Sequence, residues 1–396
     1  MSIKTAPVGE LSEQIRGVTF AKSDAVAEPA DGYLPVLRAG NITDNGVDFE
    51  DLLFVPADRI NDRQMLRAND VLIAASSGSL SVVGKAARMH EDFGGGFGAF
   101  CKVLRPNQSI DPGYFSHYFQ TGVYRRKISS LAAGANINNL RGADLDGLRI
   151  PLPPLPEQRR IAEILDRADA LRAKRRQAIA KLDSLTQSIF IDMFGIPTPG
   201  RSTWPLGKVG DMLTSANYGT GKKAGSTGSF PVLRMGNITA WGEIDMTDLK
   251  YMDLADPEVP KYTVRRGDVL FNRTNSAELV GKTAIYRATD AVAFAGYLIR
   301  LRVNESNDPE YLAAFMNTSF TKTKLKAMCK SIVGMANINA TEVQGITIPL
   351  PPLEMQQKFA DRIAGIELQK LQLASSKREL DALFASLQHR AFSGQL

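Results

Sequence analysis

The sequence predicts an α+β protein in which two mixed globular domains are joined by two long antiparallel helices. Three observations support this fold class. The second half of the sequence repeats the first half. Each half contains short strand-like runs between Gly, Asn and Pro turns. Each half also ends in a long stretch whose apolar residues recur at helical spacing. We therefore expect a tandem repeat with pseudo-two-fold symmetry.

The repeat extends over the whole chain of 396 residues. PVLRAGNIT (residues 35–43) returns as PVLRMGNIT (residues 231–239), an offset of 196 residues. IPLPPL begins at Ile150 and again at Ile348, an offset of 198 residues, and AGANINNL from Ala133 matches VGMANINA from Val333. A period this long is unlike a solenoid, whose repeats span about 20–50 residues. It indicates two copies of one unit of about 198 residues.

Each copy begins with a mixed region of strands and helices. YLPVLRAG, DVLIAAS and FCKVLRP are strand-like runs in copy one, and SFPVLRMG, DVLFNRT and YLIRLRV correspond to them in copy two. Asp-Pro pairs at Asp111 and Asp308 then predict the start of one helix in each copy, because Asp caps helices and Pro suits the first helical position.

Each copy ends in a predicted helix of about 35 residues, roughly 50 Å long at 1.5 Å per residue. Such a helix cannot bury its apolar stripe alone, so the two copies are expected to bury each other's stripes as an antiparallel coiled coil near residues 156–194 and 354–392. The predicted seam consists of Ile161, Ile164, Ala168, Leu171, Ala178, Leu182, Leu185 and Ile189 in copy one, and Phe359, Ile363, Ile366, Leu373, Leu380, Leu383 and Leu387 in copy two. The predicted boundaries are 1–150 and 196–348 for the globular domains, and 151–195 and 349–396 for the helices.

The charge and composition of the chain indicate which partners and which location to expect. The net charge of +6 and the pI of about 9.2 permit a polyanionic partner. Two distant cysteines and three scattered histidines form no metal-binding pattern. The N-terminus lacks the apolar core of a signal peptide, and no run of 18 apolar residues predicts a membrane span. We expect a cytoplasmic protein that binds no membrane.

Signatures of catalysis are missing from the sequence. It contains no GxxxxGK[ST] loop, no GxSxG elbow and no Asn/Asp-Pro-Pro-aromatic tetrapeptide. The glycine-rich FGGGFG (residues 93–98) is matched by AVAFAG in copy two, so a strand-edge turn is favoured over a cofactor site. We expect no catalysis, cofactor or metal on this chain.

The loop after each DVL strand carries short or forked hydrogen-bonding side chains that suit phosphates and base edges. The alternative is that these loops are solvated turns. Because the framework letters agree while SSGSLSV faces TNSAEL, the pattern suits one scaffold that reads two unlike half-sites. The candidate DNA-binding residues of these loops are Ser76, Ser77, Ser79, Lys85, Arg88, Asn272, Arg273, Thr274, Asn275 and Lys282.

Two further motifs are shared by both copies and are interpreted mainly as framework. In GNIT, Gly40 and Gly236 can supply a positive φ, while Asn41 and Asn237 can close an Asx turn. The preceding Arg38 and Arg234 are candidate phosphate contacts. The Asn-Ile-Asn loops either hold the globular domain against the helix or contact the DNA backbone through Asn136, Asn138, Asn337 and Asn339. The basic run LRAKRRQ (residues 171–177) is either a solvated face or a contact to DNA or a partner.

This arrangement resembles the specificity subunit of type I restriction–modification systems. The resemblance covers essentially the whole chain and is carried by IPLPPLPEQRRIAEIL (residues 150–165), the GNIT turns and the DVL and VGK segments. Copy two departs slightly, with IPLPPLEMQQKFADRI, although Gln356 still aligns with Gln158.

The resemblance implies that each variable region is a target recognition domain for one half of a bipartite, asymmetric double-stranded DNA site. It implies that the paired helices fix the spacer and bind two methylation subunits, and that two restriction subunits complete the complex. S-adenosylmethionine, ATP and Mg²⁺ would then belong to those partners. Three alternatives stay open: a free-standing methyltransferase or nuclease with a degenerate site, a structural adaptor, and a methylation system without a restriction partner.

Overall fold

The structure is a computed structural model that describes residues 4–79, 81–133, 139–196, 203–276, 279–332 and 335–396. The chain divides into two compact units. The N-terminal unit comprises Met1–Arg176 and Ser375–Leu396, and the C-terminal unit comprises Gln177–Ala374. Each unit therefore contains one globular region and part of each long helix.

The N-terminal unit is built on a four-stranded antiparallel sheet. The strands of the whole N-terminal unit are β1 (Thr5–Pro7), β2 (Ser12–Arg16), β3 (Tyr33–Leu37), β4 (Ile42–Thr43), β5 (Gly46–Val47), β6 (Leu53–Pro56), β7 (Val71–Ala74), β8 (Ala86–Arg88), β9 (Gly96–Phe97), β10 (Cys101–Pro106) and β11 (Arg149–Pro151). Its helices are α1 (Val8–Leu11), α2 (Pro112–Tyr118), α3 (Gly122–Ala133) and α4 (Gly142–Asp146). The central sheet has the order β2-β10-β7-β8 and packs against a smaller sheet with the order β6-β3-β9 through shared apolar residues such as Leu37 and Leu72.

The first long helix follows the proline motif and the C-terminal unit repeats the same plan. Helix α5 spans Leu155–Phe194. The strands of the C-terminal unit are β12 (Leu206–Lys208), β13 (Leu213–Tyr218), β14 (Phe230–Leu233), β15 (Lys250–Met252), β16 (Thr263–Val264), β17 (Val269–Asn272), β18 (Thr274–Asn275), β19 (Thr283–Ile285), β20 (Val292–Phe294), β21 (Leu298–Val303), β22 (Lys330–Ile332), β23 (Met335–Asn337) and β24 (Thr347–Pro349). Its helices are α6 (Val259–Tyr262), α7 (Pro309–Met316), α8 (Ser319–Met328), α9 (Ala340–Gln344) and α10 (Leu353–Ser393).

The two central sheets have the same strand order and register. The order β13-β21-β17-β19 matches β2-β10-β7-β8, and Leu298 pairs with Asn272 as Cys101 pairs with Ala74. Successive residues of β7 and β17 point to opposite faces of the sheet. Apolar cores cover both faces, so these two strands are buried throughout. The strand predictions for all six runs are therefore confirmed.

The prediction of one helix after each Asp-Pro pair was wrong, because two helices follow in each unit. Asp111 and Asp308 cap α2 and α7 as expected. The chain then breaks at Thr121 and Thr318, whose hydroxyl groups accept hydrogen bonds from Tyr124 N and Thr321 N at 3.2 Å. A threonine that caps a new helix competes with continuation of the old one, which the apolar pattern alone does not reveal.

The two long helices run antiparallel within each unit. In the N-terminal unit, Arg160 of α5 contacts Leu396 just beyond α10, and Arg172 contacts Asp381. In the C-terminal unit, Asp183 contacts Lys370 and Phe190 packs against Phe359. Partner numbers fall as residue numbers rise, as an antiparallel pair requires. The predicted fold class is confirmed.

The predicted heptad seam is only partly buried. Ile161, Phe359 and Ile363 lie in the cores, but Leu171, Leu185 and Leu383 are 53%, 41% and 51% exposed. Much of the buried apolar surface of the helices faces their globular regions instead. Phe190, for example, stacks against Tyr311 at a ring-centroid distance of 5.4 Å, and Phe194 meets the same ring edge-to-face at 4.8 Å. The helix pair therefore shares its core with the domains rather than forming an independent coiled coil.

Across the described residues, no helix combines the length and apolar character that crossing a membrane requires. Between the two copies, residues 197–202 lie outside the described residues.

Candidate nucleic-acid interface

The Asp of each DVL motif is a buried anchor. Asp70 is fully buried and both of its carboxylate oxygens accept hydrogen bonds from Arg105 at 2.8 Å. Asp268, 2% exposed, binds Arg302 in the same way at 2.9 and 3.3 Å. These pairs fix the start of β7 and β17, and hence the loops that follow. Sequence reasoning missed this role, although the exact repetition of the Asp was a signal for it.

The glycine of each VGK triplet holds the far end of the loop. Gly84 and Gly281 have φ values of +77° and +79°, where side chains are strained. A Cβ would also lie 2.3 Å from Ile128 Cγ2 at Gly84 and 2.6 Å from Leu325 Cδ1 at Gly281. The triplet is therefore a tight turn pressed against α3 in one unit and α8 in the other.

A basic residue on each of these helices also holds the loop. Arg125 of α3 donates hydrogen bonds to the carbonyl oxygens of Val83 and Ser81, both at 3.1 Å. Lys322 of α8 donates one to the carbonyl oxygen of Gly281 at 2.6 Å. Burial, reinforced by nearby Lys282, lowers the pKa of Lys322 to about 7. Sequence reasoning did not single out either residue.

The loop after the DVL strand meets the Asn-Ile-Asn loop. In the C-terminal unit, β18 pairs with β23 so that Thr274 lies opposite Asn337 and Asn275 opposite Ala336. In the N-terminal unit, Ser76 bridges Asn139. Residues Asn136 and Asn138 lie outside the described residues. In the C-terminal unit the structure thus brings together two groups of candidates that are about 60 residues apart in sequence.

Several other candidates serve the framework. Arg38 binds Asp51 and Arg234 binds Asp248, each at 2.9 Å. Lys85 binds Asp44 at 3.0 Å. These guanidinium and ammonium groups reach DNA phosphates only by sharing or leaving their aspartate partners. The three pairs are partly exposed, so such exchange requires little desolvation.

Some candidates are less accessible than the sequence suggested. Asn272 is fully buried, and the side chain of Thr274 is 6% exposed, so neither faces solvent. Arg88 donates to Asn69 Oδ1 at 2.6 Å and lies 3.7 Å from Asp166 of α5. Asn339 caps α9 by accepting a hydrogen bond from Glu342 N at 2.9 Å.

The remaining candidates lie at the surface of the loops. Ser76 and Ser77 line a cleft of the N-terminal unit, and Ser79 shares a hydrogen bond with Ser81 at 2.8 Å. The Arg273 guanidinium stacks over the Tyr218 ring at 4.9 Å. Burial lowers the pKa of Lys282. Asn275 is partly exposed and Asn337 is exposed.

The GNIT turn is framework, but not through its glycine. Neither Gly40 nor Gly236 has a positive φ, so that expectation was wrong. Each instead lies in a short 3-10 turn that ends at a buried asparagine, Asn41 or Asn237. These side chains accept a hydrogen bond from the backbone N–H three residues earlier at 2.9 Å.

Equivalent clefts lie beside the GNIT turns of the two units. The first has a volume of about 510 Å³ and is lined by residues such as Phe20, Arg38 and Phe100. The second has a volume of about 640 Å³ and is lined by residues such as Arg234 and Tyr297. The two clefts are built from matching elements but differ in chemistry, since the second adds Lys222, Lys223 and Lys250.

The described residues contain no group of three or more His, Cys, Asp or Glu side chains suited to a metal ion. Cys101 borders the first cleft, but burial raises the pKa of its thiol to about 12, so it is not activated as a nucleophile. The glycine run at residues 93–98 partly forms β9, and a Cβ on Gly95 would lie 2.1 Å from the Pro35 carbonyl oxygen. Close packing in a sheet accounts for that glycine.

The chain is similar to known specificity subunits over nearly its full length. It is 33% identical to the type I restriction enzyme EcoKI specificity subunit of Escherichia coli (strain K12), over 99% of this chain and 88% of that protein. Identity to the StySPI specificity subunit of Salmonella potsdam is also 33%, over 99% and 89%. The S subunit from M. genitalium, at 15% identity, has a similar fold with a TM-score of 0.52 over 99% of this chain and 96% of that one.

The sequence model described as the type I restriction modification DNA specificity domain matches this chain twice, at residues 3–182 and 201–379. The two matches reproduce the internal repeat and cover both sheets, both clefts and most of both long helices. The chain belongs to the type I restriction–modification DNA specificity family.

Proposed function

We propose that this chain is the specificity subunit of a type I restriction–modification complex. It reads a bipartite, asymmetric site in double-stranded DNA and catalyses no reaction itself. One observation carries the proposal: the DVL loop pairs with Asn337 of the Asn-Ile-Asn motif in the C-terminal unit and with Asn139, directly after that motif, in the N-terminal unit, while the loop side chains differ. A homodimer of identical heads would read a palindrome, whereas two unlike heads read unlike half-sites.

The candidate interface combines fixed backbone with variable side chains. Buried ion pairs and positive-φ glycines hold both ends of each DVL loop. The side chains between these two ends can contact base edges. They include Ser76 and Ser77 in the N-terminal unit and Arg273 and Asn275 in the C-terminal unit. Arginine suits guanine and asparagine suits adenine. Arg38, Arg234 and Lys85 supply phosphate contacts by exchange with their aspartates.

Residues 1–150 and 196–348 act as target recognition domains, and residues 151–195 and 349–396 act as spacer helices. The helices also bind two methylation subunits. Exposed leucines on α5 and α10, among them Leu171, Leu371 and Leu383, support a partner-binding role because apolar surface of this kind is usually covered. Two restriction subunits join the complex. S-adenosylmethionine, ATP and Mg²⁺ are bound by these partners.

The proposal is tested by co-expressing the chain with a methylation subunit and sequencing the host DNA for methylated adenines. A single motif with two unlike halves and a fixed gap is the expected result. Exchange of residues 1–150 for those of a relative should alter one half of the motif and leave the other unchanged. A soluble complex that adds no methylation would contradict the proposal and favour an adaptor.

The spacer role has a separate test. Four residues inserted at matching positions of α5 and α10 add about one helical turn, or roughly 6 Å. The gap in the methylated motif should then lengthen while both half-sites keep their sequences. An unchanged gap in an active complex would show that the helices do not set the spacing.

A further inference from the structure

We propose that Phe100 and Tyr297 are specificity-determining residues that contact a base through their aromatic rings, one in each half-site. This inference rests on the proposed function, because it requires that each unit reads one half of a DNA site. It adds a named residue pair outside the DVL and Asn-Ile-Asn loops, on which the sequence patterns had focused.

The two residues occupy the same place in the two units. Phe100 directly precedes β10 and Tyr297 directly precedes β21, the strands that pair with the DVL strands. The carbonyl oxygen of Phe100 accepts hydrogen bonds from Ala75 N and Ser76 N at 2.9 and 3.0 Å. The carbonyl oxygen of Tyr297 accepts one from Arg273 N at 3.0 Å. The backbone of each aromatic residue is thus fixed to the loop that carries candidate base-reading residues.

The side chains, in contrast, are not used by the fold. Phe100 is 69% exposed and Tyr297 is 50% exposed, and both rings line the clefts. Among the described residues, neither ring stacks on another aromatic ring or on a cation. One exposed aromatic residue on a surface needs no explanation. A matched pair at equivalent positions, each on a rigid backbone beside a cleft, indicates a shared use.

The charges of the second cleft, where four basic residues outnumber Asp245 and Asp248, favour nucleic acid as the occupant. In the second cleft, Lys222 binds Glu258 at 2.6 Å and Arg234 binds Asp248. Lys223 and Lys250 line the same cleft and take part in no ion pair of the described residues. An aromatic ring beside unpaired ammonium groups fits a base together with its phosphates. A purely apolar ligand would not require these cations.

Because Tyr297 has a hydroxyl group and Phe100 does not, we expect the two residues to recognise bases in different ways. Phenylalanine has no hydrogen-bonding group, so Phe100 acts through its ring alone, against a base face or the methyl group of thymine. Tyr297 adds a hydroxyl group that can donate to or accept from a base edge. Tyr297→Phe should therefore alter base preference in one half-site while retaining part of the affinity, and Phe100→Tyr should retain most of it.

The experiment measures binding of the full chain, in complex with its methylation subunits, to four DNA duplexes. These carry the methylated motif intact, with the first half scrambled, with the second half scrambled, or with both scrambled. For Phe100→Ala we expect at least about a fivefold loss of affinity on duplexes that keep one particular half, and no loss where that half is scrambled. Tyr297→Ala should show the same dependence on the opposite half.

Two outcomes would overturn the inference. One is wild-type affinity of both variants for all four duplexes, and the other is a loss that does not depend on which half is scrambled. Trp241→Ala is the matched control, because Trp241 is 63% exposed and lies outside both clefts. Thermal unfolding of each variant confirms that the fold is kept. If the wild-type complex does not distinguish the four duplexes, the proposed function itself has failed.

Discussion

The two units share one framework but bury different amounts of charge. In the N-terminal unit, Arg172 of α5 binds Asp381 at 2.6 Å and Asp169 at 2.7 Å, and its side chain is 20% exposed. At the equivalent position of the C-terminal unit, Lys370 of α10 binds Asp183 at 2.6 Å and also Glu367 and Glu243, and its side chain is 9% exposed. The same position thus carries a partly exposed arginine in one unit and a buried lysine in the other.

The same contrast appears beside the DVL strands. Asp70 faces one arginine, Arg105, whereas Asp268 binds Arg302 and lies 4.0 Å from a second buried arginine, Arg300. Arg300 stands where the N-terminal unit has Val103. The repeat therefore preserves the positions of charged residues, but the number of charges at a position and their burial differ between the two copies. Variants at paired positions should therefore have unequal effects.

The largest effect is expected at the DVL aspartates. Asp268→Asn leaves Arg300, whose side chain is 3% exposed, and the partly exposed Arg302 without a carboxylate, and breaking a buried pair costs about 3–5 kcal/mol. Asp70→Asn leaves one arginine, Arg105, without its carboxylate instead of two, so its loss should be smaller. Hydrogen exchange measured by mass spectrometry, compared between peptides of the two units, would report both losses separately. Equal losses in the two units would contradict this prediction.

The next effect is expected at the cross-helix clusters. Lys370→Met leaves Asp183 and Glu243 without the cation that both bind, while Glu367 keeps Arg287 at 3.7 Å, so we expect a loss of about 3 kcal/mol in the C-terminal unit. Burial opposes the charge on Lys370, but hydrogen bonds to Asp183 and Glu243 outweigh it and raise its pKa. Arg172→Met should cost about 1 kcal/mol, because Asp381 keeps Lys377 at 2.8 Å. Urea unfolding followed separately in each unit provides the measurement.

A smaller effect is expected at the VGK glycines, and here the variant in the N-terminal unit should be the more destabilising one. Gly84→Ala and Gly281→Ala both force a side chain into a positive φ, a strain of about 1–3 kcal/mol. The new Cβ meets the stiff, β-branched Ile128 in the N-terminal unit and the flexible end of Leu325 in the C-terminal unit. Gly84→Ala should therefore be the more destabilising. Gly40→Ala is the matched control, since its Cβ would meet no atom within 4 Å.

The last effect is a pH dependence that Lys322 adds to the C-terminal unit. The pKa of Lys322 is lowered to about 7 in the folded chain, whereas an unfolded lysine keeps its proton to about pH 10.4. Unfolding therefore takes up a proton between these values, and the free energy of unfolding should rise with pH across that window. Its counterpart in the N-terminal unit is Arg125, which holds the equivalent loop.

Replacement of Lys322 by Met should remove this part of the pH dependence. The difference in unfolding free energy between wild type and Lys322→Met should change by at least about 1 kcal/mol from pH 7 to pH 10. Arg125→Met serves as the control and should show no such change. A constant difference for Lys322→Met across the window would rule out the lowered pKa.

Much of the architecture could be predicted from sequence because repetition is a strong signal. Two copies of the same letters require two copies of the same local structure, and six strand runs and two long helices followed from that. The heptad pattern was weaker evidence. It could not reveal that Leu171, Leu185 and Leu383 are exposed, because the partner of each helical face is decided by the globular regions.

The candidate interface was predictable only as a set of loops. The sequence indicated that residues between shared motifs diverge, and it therefore singled out the DVL loops. It could not show that Asn272 is buried, or that Arg38 and Arg234 already have aspartate partners 13 and 14 residues further along the chain. Phe100 and Tyr297 begin matching strand runs, but the sequence could not show that their rings are exposed in the folded chain.

By itself, the sequence determined the duplication, the order of the elements and the family, since these depend on which letters recur and at what spacing. The tertiary structure alone decided which charges are buried and which side chains remain free. The reason is physical: the cost of burying Lys370 or exposing Phe100 depends on neighbours brought together from distant parts of the chain, and no local pattern of residues encodes that environment.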